Sequence, residues 1–111
     1  MNSSGHVYYK DQLAGTIELN EGEYCFRYDP AYLNHPKSRA ISLTLPLQAE
    51  EFRQQTLFSF FDGLIPEGWL LDVAEKNWKL NPKDRMSLLL TLCEDCVGAV
   101  RVIKVDVGGQ G

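Results

Sequence analysis

The chain has 111 residues, which is enough for one domain with a single hydrophobic core. Hydrophobic residues make up 44% of it and charged residues 23%, the composition of a folded globular protein, which excludes intrinsic disorder. The formal net charge of −4 argues against direct binding to nucleic acid or anionic lipid, and no apolar run reaches the ~18 to 20 residues that span a bilayer.

The first 28 residues predict three strands. Residues 6–10 and 13–19 both favour β-structure and are separated by the short polar break Asp11-Gln12, which indicates a hairpin. After a turn at residues 20–22, aromatic residues alternate with Cys25 and Arg27 at the period of a strand, so one aromatic row should face the core. That row is Tyr24, Phe26 and Tyr28.

The next segment predicts a helical turn and a fourth strand. Asp29 is placed to cap a short helix that begins at Pro30, because proline suits the first helical position. Residues 40–45 alternate aliphatic with small polar side chains and are followed by Pro46, which is typical of a strand and its end. The aliphatic positions are Ile41, Leu43 and Leu45.

The second half of the chain changes to a helical period. Residues 57–65 predict a short apolar helix or turn, and residues 66–78 predict a helix by their spacing. Asn81-Pro82 predicts the start of a further helix that runs through Met86, Leu89, Leu90 and Cys93, and residues 99–105 predict a last strand.

These elements predict an α+β fold. We expect a small antiparallel sheet, made of the N-terminal meander and the returning C-terminal strand, packed with two or three helices. Residues 1–107 should form one domain, and residues 108–111 should be a disordered tail.

Three cysteines, an odd number without framework spacing, argue for reduced thiols rather than disulfides: Cys25, Cys93 and Cys96. The N-terminal residues lack the basic and apolar regions of a signal peptide, so we expect a cytoplasmic protein. Cys93 and Cys96 have the spacing of half a zinc site or a redox pair. They lack a second ligand pair and follow a helical run, which favours structural thiols, but a zinc or redox protein remains an alternative hypothesis.

Catalytic patterns are weak throughout the sequence. It contains no Gly-x-Ser-x-Gly element and no glycine-rich phosphate loop followed by lysine and a hydroxyl residue. Asp62 and Glu67 flank an apolar loop, but carboxylates at helix ends and turns are more often caps than acid and base. We therefore expect a protein that is not an enzyme and that needs no cofactor or metal.

The most unusual feature is the density of large apolar residues in residues 57–69, hereafter the 57–69 segment. Part of it should simply be core, as should Trp78, but residues near a Gly-Pro turn are more often exposed. An exposed tryptophan beside an acidic group is typical of protein interfaces, so Trp69 is the candidate anchor. The candidate partner-binding residues are Trp69, Phe61, Asp62, Gly63, Leu64, Ile65, Pro66, Glu67 and Gly68.

At this segment the sequence resembles a known family. Residues 41–47, 57–68 (Leu-Phe-Ser-Phe-Phe-Asp-Gly-Leu-Ile-Pro-Glu-Gly), 84–89 and 94–100 (Glu-Asp-Cys-Val-Gly-Ala-Val) are similar, in order and spacing, to the N-terminal subdomain of HipA-family serine/threonine kinase toxins. The resemblance covers nearly the whole chain. A HipA toxin continues into a kinase core, whereas this sequence ends at Gly111 without ATP-binding or catalytic motifs.

A separate copy of that subdomain resembles HipS, the small antitoxin of bacterial tripartite HipBST toxin-antitoxin systems. The resemblance implies a HipT-like serine/threonine kinase toxin as partner, with a HipB-like DNA-binding protein in a larger complex. It also implies that the chain inhibits the kinase by contact at or near the active site. The alternative is a non-inhibitory structural subdomain, a fragment of a HipA-like kinase.

Overall fold

The part of the chain that the structure describes forms one five-stranded antiparallel sheet and three short helices. In a computed structural model, residues 3–65, 85–92 and 99–105 are described. The spatial order of the strands is β4-β3-β2-β1-β5, which confirms the predicted α+β fold with a meander and a returning C-terminal strand. The elements are β1 (Ser3–Tyr9), β2 (Gln12–Asn20), β3 (Glu23–Tyr28), α1 (Pro30–Leu33), β4 (Phe52–Gln54), α2 (Ser59–Asp62), α3 (Arg85–Leu92) and β5 (Val100–Lys104).

Two tight turns connect the meander, as the sequence predicts. In the turn between β2 and β3, Glu21 and Gly22 have φ of 51° and 83°. Lys10 has φ of 57° in the turn between β1 and β2. Positive φ in two-residue connections matches the right-handed twist of the flanking strands, and this geometry fixes the register of both hairpins.

A bulge in β2 lies next to the start of α1 and is hydrogen-bonded to it. Val7 pairs with Gly15 while Tyr8 pairs with Leu13, so Ala14 is an extra residue in β2. The Ala14 carbonyl accepts a hydrogen bond from the backbone N–H of Asp29, at 2.7 Å. The Asp29 carboxylate in turn accepts from the backbone N–H of Ala31 at 3.1 Å, which confirms the predicted cap of α1.

The predicted strand at residues 40–45 is wrong. Only an isolated bridge joins Ser42 to Leu45, and the fourth strand of the sheet is β4, paired with β3. The alternation of aliphatic and small polar residues belongs instead to a turn, in which Ile41 and Leu45 are buried and Leu43 is exposed. The Tyr28 hydroxyl binds the Ile41 N–H and the Leu45 carbonyl, so a side chain takes the place of a neighbouring strand.

The core lies between the sheet and the helices. Gly5 on β1 leaves room for α3, because a Cβ there would lie 2.5 Å from a methyl group of Leu90. The predicted aromatic row of β3 is buried at Phe26 and Tyr28 and partly buried at Tyr24. Other fully buried core residues are Val7, Ala14, Ile17, Tyr32, Phe61, Met86, Leu88, Leu89 and Val102.

Several predictions fall on residues outside the described ranges. These are the helix at 66–78 with Trp78, the helix start at Asn81-Pro82, the thiols of Cys93 and Cys96, and the tail at 108–111. Within the described ranges, no helix has the length and apolar character needed to cross a membrane.

Candidate partner-binding site

The described part of the 57–69 segment is mostly core. Leu57 and Phe58 are buried and lead into α2, and the Phe61 side chain is completely inaccessible to solvent. The Phe61 ring lies 5.4 Å from that of Phe26 and 5.3 Å from that of Phe60, measured between centroids. Phe61 therefore stabilises the domain by aromatic packing, and its role in partner binding stays a prediction.

The end of α2 brings three candidate residues towards the surface. Gly63 is exposed, Asp62 and Leu64 are half-buried, and Ile65 is buried with 7% of its surface accessible. Gly63 ends the helix, with its N–H bonded to the Ser59 carbonyl at 3.0 Å. The remaining candidates lie outside the described residues: Pro66, Glu67, Gly68 and Trp69.

Asp62 makes an ion pair that the sequence did not indicate. Its Oδ1 accepts hydrogen bonds from Nε and a terminal nitrogen of Arg85, at 2.8 and 2.7 Å. Asp62 is the last residue of α2 and Arg85 is the first described residue of α3, so the pair joins two helices that residues 63–84 separate in sequence. The carboxylate considered above as a possible acid or base is therefore held as a structural contact between two helices.

Two stacked tyrosines hold the loop between α1 and β4. The rings of Tyr28 and Tyr32 lie 6.0 Å apart with an interplanar angle of 5°. The Tyr32 hydroxyl accepts from the Arg39 N–H at 3.2 Å and donates to the Arg39 carbonyl at 2.5 Å. The Tyr28 hydroxyl bonds to the backbone of Ile41 and Leu45 in the same way. The two tyrosine hydroxyls thus satisfy backbone N–H and carbonyl groups that would be paired with another strand if this segment lay in a sheet.

The tyrosine hydroxyls are structural rather than catalytic. Burial raises the pKa of Tyr28 above its ordinary value, the Tyr32 ring adds to this rise, and the hydrogen bond from the Ile41 N–H opposes it. The phenol therefore stays protonated at neutral pH and can donate to the Leu45 carbonyl. Sequence reasoning missed this arrangement, although the hydroxyl pair Ser42 and Thr44 before Pro46 is a turn signal that was available.

An open cavity of about 860 Å³ lies between the β1–β2 turn and the loop after α1. Its charged lining consists of Lys10, Lys37 and Arg39 together with Asp11. Among the described residues these three cations form no ion pair, so the cavity has a local positive charge in a chain of net charge −4. A lining with this excess of cations suits contact with an anion.

Cys25 is a free, buried thiol on β3. Burial, followed by the negative charge of Glu51, raises its pKa, so the group remains a thiol rather than a reactive thiolate. Over residues 3–65, 85–92 and 99–105, no three potential metal ligands come together. Because Cys93 and Cys96 lie outside those ranges, the zinc or redox alternative stays a hypothesis for that pair.

Comparison with known proteins places the chain in a family. The family model described as the HipA N-terminal domain matches residues 5–103. A Haemophilus influenzae protein described as uncharacterised is 30% identical over 99 residues, which are 89% of this chain and 90% of that protein. The putative kinase Y4mE of Sinorhizobium fredii is 28% identical over 102 residues, covering 91% of this chain but only 24% of the kinase.

A solved structure described as the N-terminal domain of HipA toxin has the same fold. It superimposes with a TM-score of 0.71 and 24% sequence identity, covering 94% of this chain and 93% of that one. The fold and the sequence match therefore agree with the motifs at residues 57–68 and 94–100. The chain belongs to the HipA N-terminal domain family.

Proposed function

We propose that this chain is a HipS-type antitoxin, which binds a HipT-like serine/threonine kinase toxin and inhibits it by contact at or near its active site. The main support is the family match over residues 5–103 together with the Haemophilus influenzae relative, which aligns over 90% of its own length. HipA N-terminal domains thus occur in a protein scarcely longer than the matched region. Such a protein keeps the surface that packs on a kinase core in longer relatives.

The contact surface in this proposal is the C-terminal end of the 57–69 segment, with Trp69 as the anchor. Ile65 is buried and Asp62 is paired with Arg85, so the residues that follow Ile65 start from a fixed point. The proposal makes Trp69 the anchor because tryptophan side chains contribute strongly to binding at many protein interfaces. In the proposal its ring enters the kinase and prevents the active site from closing on ATP or substrate.

The proposed protein has no catalytic role of its own and requires no cofactor. It works in the cytoplasm as part of a larger complex that includes a HipB-like DNA-binding protein. The net charge of −4 makes it unsuited to contact DNA directly, so DNA binding in that complex belongs to the HipB-like component.

One observation favours a second candidate function. The match to Y4mE covers only 24% of that kinase, so the same domain also occurs as a small part of a longer protein. In that alternative the chain is a non-inhibitory structural subdomain of a HipA-like kinase. It would bind its kinase core without lowering the activity of that core.

Co-expression separates the two candidates. A HipT-like kinase encoded by a neighbouring gene is expressed with and without this chain, and growth and co-purification are scored. An antitoxin restores growth and co-purifies with the kinase. A structural subdomain co-purifies without restoring growth, and a chain that does neither removes both candidates.

A further inference from the structure

The cavity between the β1–β2 turn and the loop after α1 differs in charge from the rest of the chain. Among the described residues that line it, the exposed cations Lys10, Lys37 and Arg39 face one carboxylate, Asp11, which is a formal excess of +2. The whole chain carries −4. A charge of the opposite sign, confined to a concave surface, attracts a ligand that is itself anionic.

The cavity cations differ from three arginines elsewhere in the described residues. Arg27 and Arg53 pair with Glu51, and Arg85 pairs with Asp62. No such pair neutralises the cavity cations within the part of the chain that the structure describes. Their charge is therefore free to act on a ligand.

Hydrogen bonds fix the backbone that carries each of these cations. The Tyr32 hydroxyl bonds to both the N–H and the carbonyl of Arg39, and Nδ1 of His35 accepts from the Lys37 N–H at 3.1 Å. The Lys10 N–H donates to the carbonyl of the residue before β5, at 2.6 Å. Because these backbones are held before a ligand arrives, binding needs to order only the side chains.

The charge of the cavity favours a phosphate monoester over other anions. Such a group carries about −1.5 to −2 charges at pH 7 on three acceptor oxygens, which matches the formal excess of +2. A carboxylate brings a single charge, and single ion pairs between exposed groups contribute little. Nucleic acid extends beyond the Debye length of ~8 Å, so it also meets the negative charge of the remaining surface.

The shape and the neutral lining of the cavity suit the same group. The guanidinium of Arg39 is a planar fork that binds phosphate through two parallel hydrogen bonds. Gln12 and Ser38 add uncharged donors, and Tyr9 and Pro36 supply an apolar wall. The volume of about 860 Å³ exceeds that of one phosphate and leaves room for the molecule that carries it.

We propose that this cavity binds a phosphate monoester, with Arg39 as the bidentate contact and Lys10 and Lys37 as flanking charges. A free phosphorylated molecule and a phosphorylated protein side chain share this chemistry. The inference does not rest on the proposed function, because none of the described lining residues belongs to the 57–69 segment and the chain alone is sufficient for the test.

NMR titration of the isotope-labelled chain tests the proposal with two pairs of probes. Adenosine monophosphate is compared with adenosine, and a phosphoserine peptide without other charged side chains is compared with its unphosphorylated form. We expect the phosphorylated member of at least one pair to shift the resonances of the cavity residues with a Kd of about 1 mM or lower. Its unphosphorylated counterpart should bind at least about tenfold more weakly. Binding of adenosine monophosphate assigns a free molecule as the source, and binding of the peptide alone assigns a protein side chain.

Matched variants locate the binding site. Arg39→Gln removes the fork but keeps the backbone bonded to Tyr32, and it should weaken binding at least about fivefold. Arg39→Lys retains the charge and should lose less. Lys37→Gln, at another exposed position of the cavity, should also weaken binding. Lys104→Gln is the control, because Lys104 pairs with Gly5, far along β1 from Lys10, and its affinity should stay within about twofold of the wild type.

Three results would overturn the inference. The first is that neither phosphorylated probe binds, and the second is that Arg39→Gln and Lys37→Gln, both folded by circular dichroism, bind as well as the wild type. The third is that a peptide with paired glutamates binds more tightly than both phosphorylated probes, which assigns the cavity to carboxylates. None of these results bears on kinase inhibition, which co-expression scores separately.

Discussion

Arg85 and Asp62 lie 23 positions apart in sequence, and the guanidinium of Arg85 places two nitrogens within 2.8 Å of one carboxylate oxygen of Asp62. The pair connects the end of α2 to the start of α3. In the sequence, Trp69 lies between these two paired residues.

A double-mutant cycle measures this pair. Both side chains are partly solvated, with 46% of Asp62 and 35% of Arg85 accessible, so solvent screening keeps the interaction weak. We expect a coupling free energy of about 0.5 to 1 kcal/mol from urea unfolding of Asp62→Ala, Arg85→Ala and the double variant. A coupling indistinguishable from zero would show that the pair does not stabilise the domain.

Tyr28→Phe tests the side-chain support of the loop before β4. Removal of the hydroxyl leaves the Ile41 N–H and the Leu45 carbonyl without their partner, which should cost about 1 to 3 kcal/mol of unfolding free energy. Tyr9→Phe is the control, because the Tyr9 hydroxyl bonds to no other described residue, and its change should stay within about 0.5 kcal/mol. Equal effects of the two substitutions would contradict the role given to Tyr28.

The raised pKa of Tyr28 predicts a pH dependence of stability. In the unfolded chain tyrosine ionises near pH ~10, whereas burial keeps Tyr28 protonated to higher pH in the folded state. The Tyr28 hydroxyl therefore contributes its full stabilisation below the tyrosine pKa of the unfolded chain. This stabilisation is lost as the pH rises through the higher pKa of the folded state.

Urea unfolding from pH 8 to 11 should show this loss. The stability difference between the wild type and Tyr28→Phe shrinks above the ordinary tyrosine pKa, because the wild type alone loses the contribution of that hydroxyl. Cys25, whose pKa is also raised, is present in both proteins and cancels in the difference. A difference that stays constant across the range would mean that the folded pKa of Tyr28 is not raised.

Gly15→Ala should destabilise the sheet. A Cβ at Gly15 would clash with the carbonyl oxygen of Arg27 on β3, because the two atoms would be closer than van der Waals contact allows. That oxygen is a backbone atom and cannot move without disturbing the pairing of β2 with β3. We expect a loss of about 1 to 3 kcal/mol by thermal or urea unfolding. Gly63→Ala is the matched control, since a Cβ there meets its nearest atoms at 3.4 and 3.5 Å, and it should change stability little.

Sequence patterns predicted the local parts of this fold. Turn and cap signals placed the β1–β2 hairpin and α1 correctly, because Asp29 and Pro30 act on their immediate neighbours. The alternation at residues 40–45 predicted a strand wrongly, because a turn supported by Tyr28 buries the same two positions. That support comes from a residue 13 to 17 positions away, a distance at which periodicity carries no information.

The partner-binding role of the candidate residues stays a prediction, but the structure shows which of the described ones are buried. The apolar density of the 57–69 segment indicated an interface, yet Phe61 and Ile65 lie in the core, since composition does not say which side of a short helix faces inward. The Asp62–Arg85 pair joins two elements that are distant in sequence. The exposed Leu43 could not be recognised while its segment was interpreted as a strand.

Phosphoryl transfer by a HipT-like kinase, measured while this chain is titrated, tests the central claim most directly. We predict that activity falls to the background level at equimolar chain. The Trp69→Ala variant, once circular dichroism shows that it is folded, should require at least about thirtyfold more protein for the same inhibition of the kinase. This loss of affinity corresponds to the ~2 to 4 kcal/mol that truncation of an interface tryptophan costs. Full kinase activity in the presence of saturating, bound wild-type chain would contradict the account.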